Sequence, residues 1–183
     1  MAGINLIEET LPFSSLLEKT TAQRIYQTAN YRFVKFEDVV FRGQKFPRCE
    51  MEFCDLSNAD LSGSDLSGIK ISATDFNNSL MSGVDMSRAD MHLSVFSGSD
   101  LSGANFSKAY LRSVRFIGCN LSGANFTYAD LTNADLTGAD LTDVDWSYTR
   151  LHNTKGISAE MLKEIQKKFT LRGEFVPTAI DFK

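Results

Sequence analysis

Residues 121–141 read LSGANFTYADLTNADLTGADL, and their spacing decides the fold. Large apolar residues stand at Leu121, Phe126, Leu131, Leu136 and Leu141, five apart. A small residue lies two places before each: Cys119, Ala124, Ala129, Ala134 and Ala139. Outward from this stretch the period holds in both directions. From Phe36 to Leu151 every fifth residue is large and apolar, 24 in succession. With 43% of the chain hydrophobic, chance would give such a run with a probability on the order of 10⁻⁹, so periodicity alone sets the fold class. The register two places earlier is small almost throughout, with Gln44 and Ile69 the misfits.

A period of five matches neither a helix nor a strand. It matches a chain that turns a corner every five residues, with one large and one small side chain pointing inward per side. Glycine agrees. All nine glycines between residues 34 and 151 fall two places after a centre, from Gly43 to Gly138. A single slot for glycine means a single recurring backbone demand, a corner that is tight or requires positive φ.

The phrases Ala59-Asp60-Leu61-Ser62-Gly63, Ala104-Asn105-Phe106-Ser107 and Ala134-Asp135-Leu136-Thr137-Gly138 resemble the pentapeptide-repeat family over residues 34–153. The resemblance implies an all-β solenoid, a right-handed quadrilateral β-helix with four pentapeptides per coil and about six coils. Each coil buries its inward side chains only by stacking on its neighbours. Folding the centres by twenty gives core ladders such as Phe36, Leu56, Phe76, Phe96, Phe116, Leu136.

Three segments are expected. Residues 1–33 break the period and read as a helical cap, with Thr10-Leu11-Pro12 as a helix start, or as a partner-binding segment. Residues 34–153 form the β-helix. Residues 154–183 form a C-terminal capping helix and tail, with Ser158-Ala159-Glu160 as its N-cap and acidic first turn. Met161, Leu162, Ile165 and Phe169 recur there at helical spacing. With Phe175 in the tail, they are candidates for covering the last coil or for a homodimer contact. The resemblance implies such a dimer in the family's topoisomerase-protecting members.

Composition narrows the function. The formal charge of −4 argues against a basic nucleic-acid binder. The first residues, MAGINLIEETLPF, do not read as a secretory signal, and no apolar run approaches membrane-span length. Three cysteines without CxxC spacing fit a reducing compartment. A bacterial cytoplasmic protein is expected, with delivery into a host cell as an effector as a further option.

Candidate chemistry dissolves into the repeat. Cys49, Cys54 and Cys119 all hold the small inward register and read as buried hydrophobes. His92 and His152 fall on the same side but three coils apart, too far to share a zinc ion. Eleven aspartates between Asp55 and Asp145 precede centres, a position suited to bonding the corner backbone. Phosphate-binding glycine motifs do not occur. The chain therefore reads as non-enzymatic, without cofactor or metal.

The departures from the repeat carry the functional expectation. The slot two after the centre holds Arg88, Lys108, Tyr128 and Tyr148 on the third side, and Phe53 and Leu93 on the fourth. Val95 lies round the next corner and His92 beside Leu93. This apolar and basic-aromatic set is the candidate partner-binding surface, unless the N-terminal segment folds back over it. The residues between 34 and 151 also include 16 acidic and 10 basic side chains. The group Asp130, Asp135, Asp140 and Asp145 is a candidate DNA-like acidic surface. By resemblance it implies an alternative role, protection of a type II topoisomerase (DNA gyrase) against a quinolone or toxin. The leading expectation is a protein–protein interaction scaffold that makes no direct contact with nucleic acid.

Overall fold

The computed structural model describes residues 5–7, 10–12, 30–37, 39–46 and 49–172. The elements are β1 (Asn5–Ile7), β2 (Thr10–Pro12), β3 (Asn30–Arg32), β4 (Lys35–Glu37), β5 (Glu50–Glu52), β6 (Lys70–Ser72) and one helix, α1 (Ala159–Arg172). β1, β3, β5 and β6 form one parallel sheet, and β2 pairs with β4. Beyond them each side of the coil adds one bridged residue per turn, always to the residue twenty further on, as in Asp55 to Asp75 and Asp65 to Asp85. Twenty residues per coil and five per side make the cross-section four-sided.

Two hydrogen-bond patterns repeat. Between coils, each centre donates its amide to the carbonyl nineteen residues on, as Phe76 N to Val95 O at 2.7 Å. Within a corner, the amide three after a centre donates back to it, as Ala104 N to Leu101 O at 3.0 Å. Gly103, the third residue of that turn, has φ +64°, the signature of a type II turn. The large register is buried from Phe36 to Leu151. Phe76, Phe96 and Phe116 stack at 4.8 and 5.2 Å, and Phe106, Phe126 and Trp146 at 4.9 and 5.3 Å. Side chains of the small register join the coils where they are polar: Ser99 Oγ donates to Phe76 O at 2.6 Å and Thr149 Oγ1 to Phe126 O at 2.8 Å.

At the N-terminal end one expectation is corrected. Thr10–Pro12 is a strand, not the start of a helix, and pairs in parallel with Lys35–Glu37. Asn5–Ile7 likewise pairs with Asn30–Arg32. These two strands extend the solenoid upward by part of a coil, and Tyr31, buried against Phe36, continues the centre register. The reason is phase. β1 and β2 meet their partners 25 residues on rather than twenty, so one extra pentapeptide separates them. The rest of the expected N-terminal segment, residues 1–4, 8–9 and 13–29, lies outside the described residues.

At the C-terminal end the repeat stops at Gly156, the next centre position. A Cβ there would lie 2.3 Å from the Leu136 carbonyl carbon, so the chain crosses the end of the stack where only glycine fits. Ser158 then caps α1, accepting from Met161 N at 3.0 Å. Leu162 and Ile165 are buried in the core cluster and Met161 packs against it. Phe175 lies outside the described residues, as does the side-chain environment of Phe169.

Candidate functional face

The corner slot explains where the exceptional side chains sit. Every glycine of the repeat has positive φ, and so does every other described residue in that slot, including Phe33, Phe53, Arg88, Leu93, Lys108, Tyr128 and Tyr148. Asparagine and glycine tolerate this conformation, whereas a bulky L-residue is strained there by about 1–2 kcal/mol. Phe53, Leu93 and Tyr128 are also 48%, 58% and 54% exposed. They combine a strained backbone with apolar surface left in water, and neither is a cost the core requires.

These residues collect around side four, the side built on β3, β5 and β6. Along one of its corners run Phe33, Phe53, Ala73 and Leu93. Phe33 stacks on Phe53 at 5.1 Å, and the Arg32 guanidinium lies over both rings, 5.2 and 6.0 Å from their centroids. Along the other corner run Arg88, Lys108, Tyr128 and Tyr148, the two tyrosine rings parallel at 4.5 Å. Phe33 and Arg32 escaped the sequence reading because the period was begun at Phe36. His92 stands on side four itself, with Nε2 3.0 Å from Ser72 Oγ and Nδ1 3.2 Å from Asp90. Val95 bridges Asp75 and Arg115 on the neighbouring side, half-buried, and does not join the apolar strip. Val40 and Leu80, the other exposed aliphatics among the described residues, share one ladder on side two with Asp60 between them.

Charges on side four pair between coils. Lys70 binds Glu50 at 2.9 Å, Arg32 meets Glu52 at 3.4 Å, and Arg112 binds Asp130 at 2.9 Å with Arg150 3.8 Å away. Burial pushes the Asp130 carboxyl up, but hydrogen bonds from Thr132 and Arg112 outweigh this and hold it below the usual carboxylate range.

The four acidic candidates do not form one surface. Five residues apart, Asp130, Asp135, Asp140 and Asp145 stand on four different ladders and ring the rod. Each bonds its own corner. Asp135 Oδ1 accepts from the Thr137 amide at 3.1 Å, Asp140 from that of Thr142 at 3.0 Å, and Asp145 from that of Ser147 at 2.9 Å. The Thr142 hydroxyl and amide hold the Asp140 carboxyl below its ordinary range. Positive charge adjoins Asp135 from Lys155 and Arg115, as it adjoins Asp130.

Burial pushes the Cys54 and Cys119 thiols up to about 11. Cys119 Sγ donates to Phe96 O at 2.7 Å, so both are poor nucleophiles at neutral pH. His92 and His152 occupy one ladder, separated by Arg112 and Thr132, and share no site. No helix among the described residues is long and apolar enough to cross a membrane.

A four-sided stack built from five-residue sides defines the class, and comparison with known proteins agrees. The family model described as pentapeptide repeats (8 copies) matches this chain over residues 35–72, 70–107, 104–143 and 134–163. The chain belongs to the pentapeptide-repeat family, whose fold is the right-handed quadrilateral β-helix and whose members are generally non-catalytic. No curated protein matches. Among solved structures, the chain is similar to full-length QnrB1, a plasmid-mediated fluoroquinolone resistance protein. The two share 18% identity, covering 99% of this chain and 92% of that one, with a TM-score of 0.43. It is similar also to Rfr23 from the cyanobacterium Cyanothece 51142 (21% identity, 69% and 90% covered, TM-score 0.40). A third is a pentapeptide repeat protein of the Arabidopsis thaliana thylakoid lumen (21% identity, 79% of each chain, TM-score 0.42).

Proposed function

We propose that this chain is a non-enzymatic scaffold that docks a protein partner on side four and its two corners. One observation carries the reading: large side chains occupy strained, solvent-facing corner slots there, where the other described corners use glycine, asparagine or, at Asp143, aspartate. A corner that serves only the fold has no use for an exposed leucine at φ +62°, whereas an interface does. The ring pair Phe33–Phe53 with Leu93 supplies the apolar anchor. The ion pairs of side four surround it as a polar rim. We place this activity in the bacterial cytoplasm or, for an effector, in a host cell.

Topoisomerase protection by imitation of DNA draws less support. Its acidic residues are spread over four sides, and at Asp60, Asp65 and Asp130 the charge is offset by Arg42, Lys45 and Arg112. The test is affinity capture from bacterial lysate with the wild type, Phe53→Gly and Leu93→Gly. Docking predicts proteins retained by the wild type and lost from both variants. Identical protein sets from all three baits would remove the strip from the mechanism. Supercoiling by gyrase in the presence of a quinolone, with and without the protein, tests the alternative directly.

A further inference from the structure

The lower half of side four holds a groove of about 710 Å³. Its wall is the Tyr128–Tyr148 stack, topped in the same column by Lys108. Along its floor runs the ladder Tyr110, Asp130, Arg150. Tyr110 is 59% exposed, so two aromatic surfaces face solvent around one cavity.

The charge balance of this groove is unlike that of the chain. Asp130 is its one carboxylate, and both of its oxygens are in use. Oδ1 accepts from the Thr132 amide at 3.1 Å and hydroxyl at 2.6 Å, and Oδ2 accepts from Arg112 Nε at 2.9 Å. Arg150 comes no closer to it than 3.8 Å, beyond hydrogen-bond reach, and its side chain is 75% exposed. A guanidinium carries five donors in a planar fork. Arg112 directs one of them to Asp130, and Arg150 lines the groove with its side chain largely exposed. Lys108 is the second cation of the lining. Two positive groups thus face one carboxylate that Arg112 already engages, within a protein of formal charge −4.

A planar arginine fork beside aromatic faces recognises a carboxylate next to an apolar or aromatic side chain. We propose that this groove binds an acidic peptide segment of the protein partner, with an aromatic side chain against Tyr110 and Tyr128 and carboxylates on Arg150 and Lys108. The proposal rests on the docking function above and names the chemistry of what is docked. A nucleic acid fits less well. Up the ladder from Tyr110 stands Asp90, with Arg88 beside it in the corner column above Lys108, so the cationic stretch gives way to mixed charge. From Tyr110 to Arg150 it spans two coils, roughly 10 Å. That suits a few peptide residues, whereas a longer polyanion would run onto the paired charges above, where Asp90, Glu50 and Glu52 stand with Lys70 and Arg32.

The test is fluorescence anisotropy with a fluorescein-labelled peptide of alternating glutamate and tryptophan. Control probes are the same peptide with glutamine for glutamate and a labelled single-stranded oligothymidylate. Saturable binding of the acidic peptide is expected, weakening as salt rises. Arg150→Gln should weaken it at least about tenfold, the size of one charge-assisted hydrogen bond. Tyr128→Asn, which suits the corner conformation, should weaken it as well, with the melting transition unchanged in both variants. Equal binding of the glutamine peptide, tighter binding of the oligonucleotide, or no saturable binding would each overturn the proposal. Failure here with capture still lost in Leu93→Gly would remove the groove and leave the docking strip standing. Peptide binding with capture indifferent to Leu93 would do the reverse.

Discussion

Replacing Leu93 by glycine separates folding from docking, because the opposing energies at this corner nearly cancel. Leu93 has φ +62° and is 58% exposed. Glycine relieves about 1–2 kcal/mol of left-handed strain. Against that, about two-fifths of the leucine surface is buried, and losing it costs about 1 kcal/mol when full burial is worth about 1.5–3 kcal/mol. Glycine's greater freedom in the unfolded chain costs a further 0.5–1 kcal/mol, roughly. The net change lies within about 1 kcal/mol of zero. Urea melts followed by circular dichroism measure it, and capture of the partner measures the other half. A variant that folds like the wild type and no longer docks is the expected result. A stability loss above about 2 kcal/mol would show that the leucine serves the stack, and the argument from strained corners would fail.

Other perturbations have distinct signatures. Phe96→Ala empties the middle of the Phe76–Phe96–Phe116 stack and should cost about 3–5 kcal/mol in the same melts; a loss under about 1 kcal/mol would reject the core ladder. Asp60, Asp65, Asp130 and Asp135 have carboxyls held below the ordinary range in the folded state. Their contribution is therefore complete above the unfolded value near about 4 and lost as pH falls through the lower folded values. Melting temperature should stay level from neutral pH to about pH 5 and decline below it, and a rise on acidification would contradict the assignment. Cys119, buried and bonded to Phe96 O, should resist iodoacetamide at pH 8 in the folded protein and react in urea, as mass spectrometry of its peptide would record.

The repeat core was legible because one period governs everything in it. The large register, the small register and the glycine slot each recur every five residues, and the aspartates precede centres because their carboxylates bond the corner two residues on. The C-terminal helix was legible too, through Ser158 and the helical spacing of Leu162 and Ile165. The N-terminal strands were not. Leu6 and Leu11 keep the phase of the repeat, but Thr21 interrupts it, and Pro12 suggested a helix start. A strand end that pairs only at its outermost rung tolerates proline. The candidate face was half legible. Spacing put Phe53 and Leu93 on one corner and Tyr128 and Tyr148 on another, but linear order also grouped four aspartates that the coil distributes around the rod. Arg112, Arg150 and Tyr110 look ordinary in sequence. Only stacking at twenty residues brings the two arginines to Asp130 and sets Tyr110 above them.

Site-specific photo-crosslinking tests the docking face most directly. A photoreactive amino acid placed singly at Phe53, Leu93 or Tyr128 reports on side four and its corners, and one at Ser102 or Ser122 reports on side two. The account predicts crosslinks to one and the same protein partner from the first three positions and none from the serines. Crosslinks from the serines that equal or exceed those from Phe53, Leu93 and Tyr128 would contradict it.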